Sequence, residues 1–142
     1  MIKAKKSLGQ NFLVDRNILE KIVNVTQITD KTILEVGPGT GNLTSFILKK
    51  KPKKIFVVEK DENLANHLEE TFKNQITIIN DDILKINESS LFENKVTVFG
   101  NLPYNISTEI LSKWITNSTE DLWYNNLILM FQKEVADRII AK

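Results

Sequence analysis

Residues 35–41 read Glu35-Val36-Gly37-Pro38-Gly39-Thr40-Gly41, and this stretch decides the fold. An apolar run, residues 32–36, leads into the stretch, and an amphipathic segment, residues 42–50, follows it. The pattern predicts a strand, a glycine turn and a helix. Glycines accept positive φ angles and let a ligand come close to the backbone. Because open α/β sheets bind ligands at the carboxyl ends of their strands, the stretch predicts a ligand site.

The spacing of the glycines distinguishes this turn from other nucleotide-binding turns. Gly-x-Gly-x-Gly places the last glycine out of register with the dinucleotide fingerprint, and no Gly-Lys-Ser/Thr follows that would indicate a phosphate loop. Glu35, two residues before the first glycine, suits a ligand with a cationic amine better than one with a pyrophosphate. The combination looks like the S-adenosylmethionine loop of Rossmann-like methyltransferases. A plain Gly/Pro turn between a strand and a helix is the alternative.

The composition excludes several classes of protein. The chain has 142 residues, a formal net charge of +1, no cysteine and a single histidine. Disulfides, thiolate nucleophiles and cysteine or histidine-cluster metal sites are therefore excluded, and the sequence predicts no metal. No apolar run is long enough to cross a membrane, so we expect a cytoplasmic protein without a membrane partner.

Apolar runs predict strands that alternate with helices along the whole chain. The predicted strands are residues 32–36, 54–59, 76–79, 95–99 and 127–131. The predicted helices are residues 15–25, capped by Asp15 with Ile18 on the apolar face, then 42–50, 61–72, 107–115, capped by Ser107 with Ile115 on the apolar stripe, and 132–142, with 85–94 as loop or a short helix. This alternation predicts an α/β fold with a mostly parallel sheet that is covered on both faces.

Polar or turn residues follow four of the predicted strands at the point where each strand ends. They are Gly37, Glu59, Asp82 and Asn101. Because the carboxyl ends of parallel strands meet at one edge, we expect these residues to lie together. Glu59, about twenty residues past the turn, can accept both hydroxyls of a ribose, and Asp82 can accept from the amine of an adenine. As alternatives, Glu59 and Asp82 could be ordinary caps and Asn101 a turn former.

A lysine-rich segment connects the second predicted helix to the second predicted strand. Residues 49–54 read Lys49-Lys50-Lys51-Pro52-Lys53-Lys54. The segment could be an RNA-binding patch. Its predicted position at the amino ends of the strands, opposite the ligand edge, favours a solvated connection instead.

The tetrapeptide Asn101-Leu102-Pro103-Tyr104 resembles the Asn/Asp-Pro-Pro-Tyr/Phe signature of enzymes that methylate amino groups. The lone pair of an adenine N6 is delocalised into the ring and attacks poorly. If the Asn101 side-chain oxygen and a nearby carbonyl accept its N–H bonds, the nitrogen can become tetrahedral as it attacks. Pro103 has no N–H and stiffens the turn, and Tyr104 offers a ring on which an unstacked base can lie.

Several segments occur together in one order and carry a more specific resemblance. They are residues 5–13, Lys-Lys-Ser-Leu-Gly-Gln-Asn-Phe-Leu, then 35–41, 80–84, 101–108 and 130–136. Together they resemble the rRNA adenine N6,N6-dimethyltransferase family, from Lys5 to the end of the chain. Leu102 and the run Gln132-Lys133-Glu134-Val135-Ala136 favour the small-subunit (kasugamycin-resistance) branch over the erythromycin-resistance methylases of large-subunit rRNA.

The resemblance implies a substrate, a cofactor and a set of site residues. It implies that methyl groups pass from S-adenosyl-L-methionine to N6 of two adjacent adenosines in a hairpin loop near the 3′ end of small-subunit rRNA. The implied partner is small-subunit rRNA in a pre-30S particle, and the full-length form is expected to be a monomer. The implied cofactor-binding residues are Asn11, Leu13, Gly37, Gly39, Glu59, Asp82 and Asn101, and the implied catalytic residues are Asn101, Leu102, Pro103 and Tyr104.

The resemblance also sets expectations for the extent of the domain. Residues 1–142 are expected to form the N-terminal part of an S-adenosylmethionine-binding methyltransferase domain. Family members continue with further strands and a small helical domain that helps to grip rRNA. We therefore expect a sheet that is incomplete at the carboxyl end, with residues 127–131 as an open, association-prone edge. A macrolide-resistance methylase, an inactive cofactor-binding fragment and an amide methyltransferase are the alternative functions.

Overall fold

The computed structural model describes residues 15–102, 105–116 and 122–130. The strands are β1 (Thr32–Val36), β2 (Lys54–Val58), β3 (Thr77–Ile79), β4 (Val96–Asn101) and β5 (Tyr124–Met130). The helices are α1 (Arg16–Val23), α2 (Asn42–Lys49), α3 (Glu62–Phe72), α4 (Glu88–Leu91) and α5 (Ser107–Thr116), with single 3₁₀ turns at Lys73–Gln75 and Ile83–Lys85. Within the described residues, the predicted alternation of strands and helices is confirmed.

The described strands form one parallel sheet in the order β3-β2-β1-β4-β5. The chain builds outward from β1 through β2 to β3, then returns to the other side of β1 and continues through β4 to β5. This reversal leaves a crevice above the carboxyl ends of β1 and β4, which is where sheets of this type bind ligands. The glycine turn and Asn101 therefore flank the point of reversal.

Apolar side chains cover both faces of the sheet, as predicted. Along β1, Ile33 packs into one core with α1, α2 and α3, while its neighbour Leu34 packs into a second core with α5. This alternation follows from the two-residue period of a strand. The large side chains buried in the first core include Leu19, Ile47, Leu68 and Phe99, and those in the second include Val98, Ile110 and Trp114.

The cap residues set the starts of two helices. The Asp15 carboxylate accepts the N–H groups of Asn17 at 2.9 Å and Ile18 at 3.3 Å, as expected for an N-cap. The Asp61 carboxylate likewise accepts the Leu64 N–H at 3.1 Å and begins α3. Ile18, predicted on the apolar face of α1, is 45% exposed, because burial is confined to residues 19–23 of that helix.

Other boundaries differ from the predictions at strand and helix ends. β4 continues through Asn101 because it pairs with β5 up to Met130, and β5 begins three residues earlier than predicted, at Tyr124. Ser107, predicted as a cap, is the first residue of α5. Ile115, predicted on the apolar stripe of α5, is 54% exposed. Phe131 and the predicted helix 132–142 lie outside the described residues.

Candidate active site

The glycine turn follows β1 and begins α2. Gly37, Gly39 and Gly41 have φ angles of 69°, 58° and 93°, so each lies in the left-handed region that favours glycine. Gly41 is the residue before α2, and a Cβ placed there would lie 2.5 Å from Cε2 of Phe72. The third glycine, which is out of register with the dinucleotide fingerprint, is therefore required by both backbone conformation and packing against α3.

Glu59 follows β2 and lies between the glycine turn and α3. Its carboxylate accepts the N–H of Asp61 at 3.0 Å, and the N–H groups of Gly39 and Lys60 also bind it. The side chain is buried, and burial raises the pKa of Glu59 above its usual 4.5, while these N–H groups oppose the rise. The structure thus places Glu59 against the glycine turn and holds its carboxylate in one orientation.

Asp82 follows β3 and caps the next turn, as the alternative interpretation proposed. Its Oδ1 accepts the Leu84 N–H at 3.0 Å, and its Oδ2 lies 3.5 Å from the ammonium of Lys60. Asn80 ties this segment to its neighbour, because its amide donates to the Glu59 carbonyl at 2.8 Å. The sequence placed Asn80 after the third predicted strand and within a family segment. It did not predict this hydrogen bond, which joins two residues that are 21 apart in the chain.

Asn101 is the last residue of β4 and lines a small pocket at the crevice. The residues around the pocket are Glu35, Gly37, Pro38, Thr40, Asn42, Leu43 and Asn101. Leu102 is buried at 2% exposure in the second core, which anchors the chain directly after Asn101. Gly100 leaves room for this anchor, since a Cβ there would lie 2.9 Å from the Leu102 Cδ2.

Glu35 forms the floor of the same pocket. The side chain is 1% exposed, and its Oε1 accepts the hydroxyl of Thr44 at 2.5 Å. Burial raises the pKa of Glu35 to about 7, the Thr44 hydroxyl lowers it, and the charge of Glu59 raises it further. Thr44 was not singled out from sequence; its only signal is a polar residue on the buried face of α2.

The strand-end residues predicted to meet do share one edge of the sheet. Following the strand order, they are arranged as Asp82, Glu59, Gly37 and Asn101. Backbone hydrogen bonds hold the ends of β1, β2 and β3 side by side. The Gly37 N–H donates to the Val58 carbonyl at 3.1 Å, and the Glu59 N–H donates to the Ile79 carbonyl at 3.0 Å. The remaining predicted site residues, Asn11, Leu13, Pro103 and Tyr104, lie outside the described residues.

The carboxyl edge of the sheet presents hydrogen-bond acceptors together with the glycine backbone of the turn. Two buried carboxyl groups, Glu35 and Glu59, lie close enough for the charge of one to raise the pKa of the other. Such a site favours a ligand that carries hydroxyls, an amine and a positive charge. Within residues 15–102, 105–116 and 122–130, no group of three or more His, Cys, Asp or Glu residues could hold a metal ion. No helix in that same part of the chain is long and apolar enough to span a membrane.

The strand order, the glycine turn after β1 and the acidic residues after β2 and β3 define a Rossmann-like methyltransferase fold. Comparison with known proteins narrows this class. The chain belongs to the ribosomal RNA adenine dimethylase family, whose model matches residues 1–142. This membership confirms the family resemblance carried by the sequence segments.

Two curated relatives share the name ribosomal RNA small subunit methyltransferase A. The chain is 67% identical to the protein of Pelagibacter ubique over 141 residues, which cover 99% of the chain and 54% of that relative. It is 43% identical to the protein of Zymomonas mobilis over 145 residues, which cover 99% of the chain and 52% of that relative. The chain therefore spans about half the length of the curated relatives it matches.

Two solved structures resemble this chain closely. A dimethyladenosine transferase from Plasmodium falciparum has a TM-score of 0.76 and 29% identity, over 93% of this chain and 47% of that one. The 23S rRNA methyltransferase ErmE has a TM-score of 0.75 and 25% identity, over 89% of this chain and 50% of that one. The two scores are nearly equal, so the fold alone does not distinguish a dimethyladenosine transferase from a 23S rRNA methyltransferase.

Proposed function

We propose that the chain binds S-adenosylmethionine at this edge and transfers methyl groups to N6 of two adjacent adenosines in a hairpin loop near the 3′ end of small-subunit rRNA. Residues 1–142 would form the cofactor-binding and catalytic part of a cytoplasmic enzyme of ribosome biogenesis. The observation that carries the proposal is the pocket that Asn101 shares with Glu35 and the glycine turn. It brings the residue proposed to hold the amine next to the residues proposed to hold the methyl donor.

The described residues fit this cofactor in charge and in the hydrogen-bond acceptors that they offer. S-adenosylmethionine carries a sulfonium and an amine, and the pocket holds Glu35 while none of its lining residues is basic. Glu59, already oriented by the Asp61 and Gly39 N–H groups, would accept the ribose hydroxyls. Asp82 would accept the adenine amine through the oxygen that Leu84 does not use. Gly37 and Gly39 would let the cofactor lie against the backbone.

Asn101 is proposed to orient the target amine. Its side-chain oxygen and the Leu102 carbonyl would accept the two N–H bonds, so that the nitrogen would become tetrahedral and its lone pair would no longer be delocalised into the ring. The lone pair would then be available to form the new N–C bond, while the S–C bond of the methyl donor would break and its electrons would stay on the sulfur. The cofactor supplies the activated methyl group. The amine loses a proton only after the new N–C bond has formed and the nitrogen is cationic, so no strong base is required. The anchoring of Leu102 in the second core supports this role, because it fixes the carbonyl that follows Asn101.

The small-subunit substrate is favoured over the large-subunit one by sequence. The relatives with 67% and 43% identity are both named for the small subunit, whereas the large-subunit methylase ErmE is 25% identical. A protein that binds the cofactor without transferring a methyl group is the second candidate, because the chain spans about half of its relatives.

Two measurements on the same preparation test the proposal. Calorimetry with S-adenosylmethionine measures cofactor binding, and transfer of labelled methyl groups to under-methylated small subunits measures activity. We expect Asn101→Ala to abolish transfer, and Asn66→Ala, on the exposed side of α3, to leave both measurements unchanged. Cofactor binding without any methyl transfer would favour the second candidate. Methyl transfer to large subunits alone would contradict the proposed small-subunit substrate.

A further inference from the structure

A cluster of lysines lies at the amino edge of the sheet, opposite the candidate active site. Three neighbouring strands, β2, β1 and β4, are each entered through an exposed lysine: Lys53, Lys31 and Lys95. Lys53 N–H donates to the Lys31 carbonyl at 2.9 Å, and Ile33 pairs with Thr97. Since paired strands are about 4.8 Å apart, the three lysines form a row across the sheet.

Further lysines from the segment 49–54 join this row. The Lys51 carbonyl accepts the Asp30 N–H at 3.1 Å, which places Lys51 beside Lys31. The ammonium groups of Lys49 and Lys54 lie 4.6 and 5.6 Å from the ring centres of Phe46 and Phe56. We define the lysine edge as the exposed residues Lys31, Lys49, Lys51, Lys53, Lys54 and Lys95.

Ion pairs and helix dipoles do not account for this concentration of charge. The ion pairs found among the described residues are Lys60 with Asp82 and Lys113 with Glu88, and neither involves the lysine edge. Of the six lysines in the lysine edge, only Lys49 lies in the last turn of a helix, where a cation stabilises the helix dipole. The connections that enter β1, β2 and β4 carry two carboxylates, Asp30 and Glu93, so the edge keeps a strong positive excess.

We infer that the lysine edge binds the phosphate backbone of RNA at a site remote from the target adenosine. The inference rests on the proposed function, which makes RNA the polyanion available to the chain. The sequence favoured a solvated connection for residues 49–54, but it could not show that Lys31 and Lys95 from other connections join them. Lysine contacts with phosphates strengthen binding without reading sequence.

The position of the lysine edge predicts which RNA molecules can contact it. β1 and β2 have five residues each, so the lysine edge lies about 16 Å or more from the carboxyl edge. A hairpin trimmed to the loop and its first few closing base pairs is shorter than this distance, so it cannot contact both edges. A folded rRNA extends around the domain and contacts both edges. The lysine edge should therefore matter for whole small-subunit rRNA and not for the isolated hairpin.

Salt-dependent RNA binding by the full chain tests the inference. Lys51→Gln/Lys53→Gln removes two positive charges from exposed side chains. We expect the slope of log affinity against log salt for small-subunit rRNA to fall by about one unit per lysine, and affinity for the hairpin to stay unchanged. The control Asn63→Asp/Asn66→Asp makes the same change in net charge on exposed positions of α3, and it should keep the slope.

The outcomes separate this inference from the proposed function. An unaltered chain that binds cofactor but not rRNA would overturn both. An equal slope in the lysine variant and the unaltered chain, with rRNA binding intact, would overturn the lysine edge alone. A loss of binding to phosphatidylserine vesicles with no change in the rRNA slope would also overturn it, because the edge would then be a membrane contact. Calorimetry with S-adenosylmethionine should give the same affinity for all variants.

Discussion

Replacing Glu35 with glutamine isolates the energetic cost of a buried acid beneath the glycine turn. The substitution keeps the shape of the side chain and an oxygen that can accept the Thr44 hydroxyl, and it removes the ionisable group. In the unaltered protein, burial raises the pKa of Glu35 from 4.5 to about 7. The difference in the pH dependence of stability between the two proteins therefore comes mainly from this one proton.

The sign and size of the effect follow from the two pKa values. Between pH 4.5 and about 7 the folded state keeps a proton on Glu35 that the unfolded state releases, so stability falls as pH rises. The shift corresponds to about 3 kcal/mol at 1.36 kcal/mol per unit. On going from pH 5 to pH 8, the free energy of unfolding of Glu35→Gln should therefore rise by up to about 3 kcal/mol relative to that of the unaltered protein.

Urea unfolding at pH 5 and pH 8, followed by the fluorescence of the buried Trp114, measures the difference. Glu59 also has a raised pKa, but it is present in both proteins and largely cancels in the comparison. Glu62→Gln, at an exposed position in the first turn of α3, provides the control for removing a carboxylate. Equal pH dependence in Glu35→Gln and the unaltered protein would refute the reasoning.

Four other expectations follow from the same geometry. Glu59→Ala should weaken S-adenosylmethionine binding by about 1.5–3 kcal/mol in calorimetry, because a charge-assisted contact is lost. Gly41→Ala should lower the free energy of unfolding by about 2–4 kcal/mol in urea, since the added Cβ meets Phe72 and the φ angle is 93°. Tyr104→Ala should depress methyl transfer far more than cofactor binding, with the lost stacking worth about 1–3 kcal/mol. The chain should self-associate through β5, one of the two outer strands of the described sheet, and cofactor should raise its melting temperature.

Each of these expectations has a contradicting result. Unchanged cofactor affinity in a folded Glu59→Ala protein would remove the ribose role. A Gly41→Ala protein as stable as Thr40→Ala, its neighbour in the turn, would show that the packing against Phe72 relaxes. Normal turnover with poor cofactor affinity in Tyr104→Ala would contradict base stacking. Light scattering that shows a stable monomer would contradict the association of β5.

The local parts of the fold were predictable from sequence because their signals are local. The apolar run at residues 32–36 and the glycines after it are neighbours, and the predicted β1 matches the observed strand. The strand order was not predictable, because it depends on which partner β4 selects after the chain reverses. The position of Lys31 beside Lys53 has the same cause, since register joins residues far apart in sequence.

At the site, the position of each strand-end residue was predictable and its full set of contacts was not. Asp82 was given two competing interpretations, a turn cap and a ligand for adenine. The structure shows that one oxygen caps the following turn while the other faces Lys60, so the two interpretations are compatible. The role of Thr44 could not be found from sequence, because it depends on a hydrogen bond to the buried Glu35 carboxyl group on the other side of the glycine turn.

The buried acids connect the stability of the domain to its proposed ligand. Glu35 is costly to ionise when it is surrounded by protein alone, and the charge of Glu59 adds to that cost. A ligand with a positive charge beside Glu35 would offset the cost, so it should bind the ionised form more tightly than the protonated form. The turn between β1 and α2 therefore does more than admit a ligand close to the backbone. It covers a carboxyl group that weakens the free protein near neutral pH and would favour a complex with a cation, so that stability and binding would depend on the same proton.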